Sequence, residues 1–249
     1  MDRTTRLRLA VGLPDRPRAL EARGMLLSGR GRIVAQGEGS SGYALFDDSV
    51  TSLLAVVGRP EPASLREALE RLRPGSVLVQ EEDDPHLAPL LAGFRRQTAV
   101  LHLPGPGVAL RPLENDPPCR LLGAEPSAAW LEDWPVAQRR ELSAALALGL
   151  PMAGCVCDDR IAAVCYSCYE TETLWDVSID TLAPHRRRGL ASAAVRFLAA
   201  HQSARGLTPV WGAVQSNPAS LALAARLGFT PVERFVVYEA LGGGAESGG

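Results

Sequence analysis

The chain has 249 residues, 46% hydrophobic and 22% charged, with a formal net charge of −2. That balance is globular and argues against a general nucleic-acid binder, which needs a strongly basic surface. No apolar run approaches the roughly 20 residues that span a bilayer, and Met1-Asp2-Arg3-Thr4-Thr5-Arg6 lacks the apolar core of a signal peptide, so the expected setting is cytoplasmic, without a membrane. All 26 basic residues are arginine, which beside so much Ala, Gly and Pro reads as a compositional bias rather than a functional signal.

The first 40 residues carry little pattern beyond a short helix over Ala19–Leu27 and a strand at Arg32-Ile33-Val34-Ala35. Better-patterned segments follow. Val50–Val57 reads as a buried strand. Leu65, Leu69 and Leu72 recur at helical spacing within Pro62–Leu72. Ser76–Gln80 is a short strand, Asp84-Pro85 opens a helix that reaches Gly93-Phe94, and Thr98–Leu103 is a strand. Five prolines and two glycines within 104–118 mark a linker. Trp130 and Trp134 precede a helix over Pro135–Leu148 and suit either a pocket wall or core packing.

Residues 153–169 form a hairpin that turns at Asp158-Asp159. Cys155-x-Cys157 and Cys165-x-x-Cys168 invite a zinc reading, but strand alternation sends Cys165 and Cys168 to opposite faces, and a structural zinc needs four converging ligands. All five cysteines, Cys119 included, are expected as free, buried thiols.

The most informative stretch runs from Leu174 to Phe229. A strand, Leu174–Asp180, leads into Arg186-Arg187-Arg188-Gly189-Leu190-Ala191 and a helix over Ser192–Arg205 that stops at Gly206. The backbone N–H groups of Arg188 to Ser192 lack intrahelical partners at such a start, and the positive dipole end and three arginines complete an anion site. A strand at Pro209–Val214 follows, and Asn217-Pro218 opens a second helix, with Asn217 suited to the N-cap and Pro218 to the first position. Asn217, Ser220 and Ala224 share one face of it, Gly228 suits its end, and Val232–Leu241 is the closing strand.

This order of strand, Arg-x-x-Gly-x-Ala, helix, strand, Asn-x-x-Ser, helix and Gly-Phe resembles the GCN5-related N-acetyltransferase (GNAT) superfamily. The resemblance implies an α/β fold with a mixed, mostly antiparallel central sheet flanked by helices. It divides the chain into a smaller N-terminal α/β domain (1–108), an acetyltransferase domain (109–241) and a flexible tail (242–249). The order strand–helix–strand–helix–strand in 43–103 matches that in 174–239, so the N-terminal part reads either as a degenerate copy that has lost the arginine–glycine turn or as an unrelated α/β unit.

The resemblance further implies direct transfer of acetyl from acetyl-CoA to an amine-bearing acceptor. Cofactor contacts are expected from Ile179, Asp180 and Thr181, from Arg186, Arg187, Arg188, Gly189, Leu190, Ala191 and Ser192, and from Asn217, Ser220 and Ala224. Backbone N–H groups of the central strand would polarise the acetyl carbonyl. Asp176, Ser178 and Asp180 share a strand face, so Asp176 is the first candidate base, ahead of Glu172 and Asp180. The family's usual tyrosine acid falls at Ala224, which has no proton to give, leaving Tyr238, Ser220 or solvent as the donor. His185 is expected to play a structural or phosphate role. The alternative is an acyl-CoA-binding regulatory module without turnover. The acceptor's identity and the choice between monomer and homodimer stay open.

Overall fold

The computed structural model describes residues 2–37, 41–123, 128–157 and 160–241. The turn expected at Asp158-Asp159 and the tail at 242–249 lie outside the described residues. Asp2 caps α1 (Arg3–Gly12), its carboxylate accepting from Thr5 N at 3.0 Å. This helix carries no apolar stripe and buries only Ala10, so periodicity does not announce it. α2 (Leu20–Ser28), β1 (Arg32–Gln36), β2 (Tyr43–Asp47), β3 (Leu53–Val57), α3 (Pro62–Leu72), β4 (Ser76–Val79), α4 (Asp84–Leu87) and β5 (Phe94–Pro104) complete the first half. β2 is a strand the sequence reading lacks, and Val50 precedes β3 instead of belonging to it.

The second half contains β6 (Cys119–Leu121), α5 (Val136–Ala147), β7 (Met152–Cys157), β8 (Arg160–Tyr166), β9 (Leu174–Asp176) and β10 (Ser178–Thr181). It continues through α6 (Leu190–Ser203), β11 (Thr208–Val214), α7 (Pro218–Arg226) and β12 (Phe229–Ala240). Eight strands form one mixed sheet in the order β1-β2-β3-β4-β12-β5-β11-β9, and β10-β8-β7-β6 form a second. One apolar core lies beneath α3, a second beneath α6, and a third joins α2, α5 and the sheets between them.

The same pairings occur twice. β1–β2 and β2–β3 are antiparallel and β3–β4 is parallel; likewise β7–β8 and β8–β10 are antiparallel and β9–β11 is parallel. Each parallel pair is spanned by a helix, α3 or α6, as a parallel connection requires. The closing strands are then exchanged. β5, from the first half, pairs with β11, and β12, from the second, pairs with β4. β5 and β12 pair with each other from Phe229↔Pro104 to Ala240↔Phe94. The expected division at residue 108 falls between β5 and β6, and the hydrogen bonding of the sheet runs across it.

Side chains pin the exchange. Tyr238 on β12, 2% exposed, donates its phenol to Asp84 Oδ1 at 2.6 Å, while Arg96 on β5 holds Asp84 Oδ2. Across the halves, Tyr169 Oη donates to Asp47 Oδ2 at 3.1 Å and Arg23 forks onto Glu172. Cys119 and Cys155, directly opposed on β6 and β7, are joined in a disulfide. That corrects the expectation of five free thiols: the antiparallel register brings together two residues 36 positions apart, while Cys165 and Cys168 stay free and buried.

Because each half borrows its closing strand, residues 1–108 or 109–249 expressed alone should show no cooperative thermal transition, and co-expression should restore one. A cooperative transition from either half alone contradicts the exchange. Tyr238→Phe should cost about 1–2 kcal/mol, the scale of a buried hydrogen bond, as read by denaturant unfolding.

Candidate active site

The strand read as continuous from Leu174 to Asp180 breaks at Val177. β9 stays beside β11, Asp176 pairing with Val210, and Val177 N makes a last bond to Val210 O at 3.0 Å. β10 then leaves β11 and pairs with β8, Ser178 opposite Tyr166 and Asp180 opposite Val164. Leu182 N continues that ladder to Ala162 O at 2.9 Å. Since antiparallel bonding alternates along a strand, Ser178, Asp180 and Leu182 turn their backbone groups toward β8. Ile179 and Thr181 turn theirs into the gap.

A cavity of about 1060 Å³ fills this gap, bounded by α5, β8, β10, the 185–192 turn and α7. At its floor, Arg187 (φ 58) and Gly189 (φ 81) are both left-handed, which bends the chain into α6. Gly189 supplies conformation and clearance together: a Cβ there meets nothing within 4 Å, but the φ disfavours any other residue. Ala193 N is the first in α6 to find a carbonyl behind it, Gly189 O at 3.0 Å. The N–H groups of Leu190, Ala191 and Ser192 therefore present the helix's positive end to the cavity. The equivalent helix of the first half, α3, begins differently, because Glu61 folds its own carboxylate over Ala63 N and Ser64 N at 2.9 and 2.6 Å. That start is already filled by an anion.

Arg186, Arg187 and Arg226 line the α6 side of the cavity. Arg186 Nε reaches Thr181 O at 3.3 Å and Arg226 reaches Ser192 Oγ at 3.4 Å. Arg196 also lines it but is committed to Asp116. Asn217 caps α7 by accepting from Ser220 N at 3.0 Å, and Ser220 Oγ accepts the Trp211 indole N–H at 3.0 Å, leaving its own O–H free to donate. On the α5 side, Tyr166 Oη donates to Glu141 Oε1 at 2.5 Å. Burial, reinforced by Glu141 and opposed by Arg186, pushes the pKa of Asp180 up to about 7. Burial also raises Glu141, against the lowering effect of the phenol's hydrogen bond.

Of the expected cofactor residues, Ile179, Asp180, Thr181, Arg186, Arg187, Gly189, Leu190, Ala191, Ser192, Asn217 and Ser220 line the cavity. Arg188 is exposed and contacts the His185 ring instead, and Ala224 is fully buried in the core beneath α6. Three of the four expected catalytic residues stand elsewhere. Asp176 accepts from Tyr169 N at 2.7 Å and Ser167 Oγ at 3.0 Å, clasping the loop before β9, and burial lifts its pKa to about 6 despite those bonds. Trp175, Val177 and Ile179 all pack on the core under α6, so alternation runs through the break and Asp176 keeps the face of Ser178 and Asp180. Its bonds to Ser167 and Tyr169, not the break, hold its carboxylate away from the cavity. Glu172 is spent on Arg23, and Tyr238 is spent on Asp84, burial and that neighbour pushing its phenol up to about 12. Trp134 is core, its indole N–H on Ile161 O at 2.9 Å, and Trp130 stacks under Arg120.

Glu141, Tyr166 and Arg226 are the additions that the sequence reading lacks. Alternation along β8 puts Tyr166 on the face of Val164, and Glu141 borders the buried stripe Leu142, Ala145 and Leu146 of α5, but only the folded register brings the two together.

Residues 148–238 match the family model for GNAT acetyltransferases. No curated protein matches the sequence. The fold of nearly the whole chain recurs in a GCN5-related N-acetyltransferase-like protein from Streptococcus suis 89/1591, with TM-score 0.68 and 18% identity over 96% of this chain and 99% of that one. It recurs again in a GCN5-related N-acetyltransferase from Kribbella flavida, with TM-score 0.60 and 19% identity over 91% and 95%. Residues 148–238 thus carry the match to a GNAT acetyltransferase domain, and the whole is a mixed α/β protein of GNAT-type fold. Among the described residues, no helix is long and apolar enough to cross a membrane.

Asp180 leaves a signature in stability. Its folded pKa near 7 lies above the ordinary carboxylate value, so its contribution is fully present below about pH 4 and is lost as pH rises through about 7. The unfolding free energy of wild type minus that of Asp180→Asn should therefore fall between about pH 4 and 7 and be flat above. A difference that is flat throughout contradicts the raised pKa.

Proposed function

We propose that the chain is an acetyl-CoA-dependent N-acetyltransferase acting on an amine. The observation that carries this is the juxtaposition, in one cavity, of an open helix start flanked by arginines with a strand edge and a carboxylate titrating near neutrality. The donor set fits the cofactor. Leu190, Ala191 and Ser192 N–H, with Arg186, Arg187 and Arg226, would hold its phosphates, and the backbone of Ile179 and the Thr181 N–H, turned away from β8, would take its amide-bearing arm. When bound, acetyl-CoA supplies an acetyl group activated as a thioester.

The rest falls to this chain's residues. Backbone N–H groups of Ile179 and Thr181 aim at the gap, where charge on a carbonyl oxygen is stabilised by preset dipoles. Asp180 takes the proton that the attacking amine must lose, and a pKa near the working pH suits a base. That proton balances the one taken up by the departing sulfur, and the Ser220 O–H, oriented by the Trp211 indole, donates toward the same side of the cavity. Neither Ala224 nor Tyr238 takes part.

A binding module without turnover has no use for a base in the cavity, so the transferase reading is favoured. Calorimetric titration of acetyl-CoA should show one saturable site per chain, lost in Gly189→Glu, whose carboxylate repels phosphate and whose backbone resists φ 81. In amine acetylation assays, kcat/KM should rise with pH to a plateau above about 7. Asp180→Asn should lower it by roughly 10²- to 10⁴-fold and abolish that limb. Tyr238→Phe should leave it unchanged. Saturable binding without acetylation of any amine would leave the regulatory reading standing instead.

A further inference from the structure

The cavity's charges are sorted by strand β10. Side chains alternate across a strand, so Ser178 and Asp180 share the face of their partners Tyr166 and Val164, while Ile179 and Thr181 share that of Cys165 and Ala163. Ala163 and Cys165 belong to the core under α6, and Val164 and Tyr166 to the core that includes Leu142, Ala145 and Leu146 of α5. The cavity's cations, Arg186, Arg187, Arg196 and Arg226, all come from the turn into α6, from α6 itself and from α7. On the α5 side the polar lining among the described residues is Gln138, Glu141, Tyr166, Ser178 and Asp180, with two carboxylates and no cation of its own. Among the described residues, Arg186 is the cation whose charge acts on Asp180 from across the strand.

Two carboxylates lining one partly buried wall, with Glu141 near enough to raise Asp180, are costly to keep there. Acetyl transfer accounts for one of them, Asp180. Glu141 is held in place by the buried phenol of Tyr166, so its position is fixed before any ligand arrives. An acceptor carrying a carboxylate beside its amine, such as an amino acid, would face both acids. An acceptor with a second cationic group would neutralise Glu141 while its free amine stands at Asp180.

Resting on the transferase reading above, we infer that the acceptor is a small dicationic amine of the aliphatic diamine class, with Glu141 the specificity-determining residue that binds the non-reacting ammonium. Calorimetry on the CoA-loaded protein tests this without requiring turnover, using straight-chain diamines of three to six carbons, monoamines of the same lengths and the matching ω-amino acids. At least one diamine should bind tenfold or more tighter than the monoamine of its length, about 1.4 kcal/mol, and the amino acids should bind weakest. Glu141→Gln should bring diamine and monoamine within about twofold of each other, whereas Tyr166→Phe, which keeps the carboxylate, should retain the preference. Equal or tighter binding of monoamines or amino acids overturns the inference, as does a preference that survives in Glu141→Gln or an absence of binding by every diamine. Diamine binding with the expected preference but no acetylation upholds the charge recognition and refutes only the transferase reading.

Discussion

The site depends on the parting of β10 from β11 after Val177. Up to that residue the backbone is paired on both sides, Val177 N still reaching Val210 O. One residue later the strand has changed sheets, and the groups of Ile179 and Thr181 face a cavity instead of a neighbour. Unpaired backbone polar groups in a partly buried setting are expensive, so the break stores an unfilled bonding capacity that an extended, amide-bearing ligand can satisfy. The open start of α6 and the carboxylates on the α5 side flank this gap, at opposite faces of the same short strand.

What keeps the gap open is the exchange of closing strands. With β9 on one edge and β5 on the other, β11 is fixed in the eight-stranded sheet, while β10 is fixed to β8 in the smaller one. The two sheets cannot close on each other without breaking one of these ladders. The first half repeats the plan up to its own parallel pair, β3–β4, and then differs at the decisive point: Glu61 fills the helix start that α6 leaves open. The first half contributes a strand and the pins at Asp84, Asp47 and Arg23, and the cavity belongs to the second.

Local chemistry made much of this legible in sequence. The Arg186–Ala191 turn, the Asn217 cap and the glycines at 206 and 228 act within a few residues of themselves, and so did the helices with clear stripes, such as α3. Three things were hidden because they depend on distant partners. Alternation through 174–180 puts Asp176 and Asp180 on one face, and only the contacts of Asp176 with Ser167 and Tyr169, in the loop before β9, show that its carboxylate is spent outside the cavity. Tyr238 looks available until β12 is known to lie against β4 and Asp84. Glu141 and Tyr166, like Cys119 and Cys155, meet through register between elements that nothing local specifies.

The central claim is that the open edge of β10 and the start of α6 together hold acetyl-CoA. Amide hydrogen exchange resolved by residue tests it most directly. Added acetyl-CoA should slow exchange at Ile179 and Thr181 and at residues 190–192, while Ala63 and Ser64 at the start of α3 should be unaffected. Unchanged exchange at β10 and α6, or protection at α3 instead, would contradict the account.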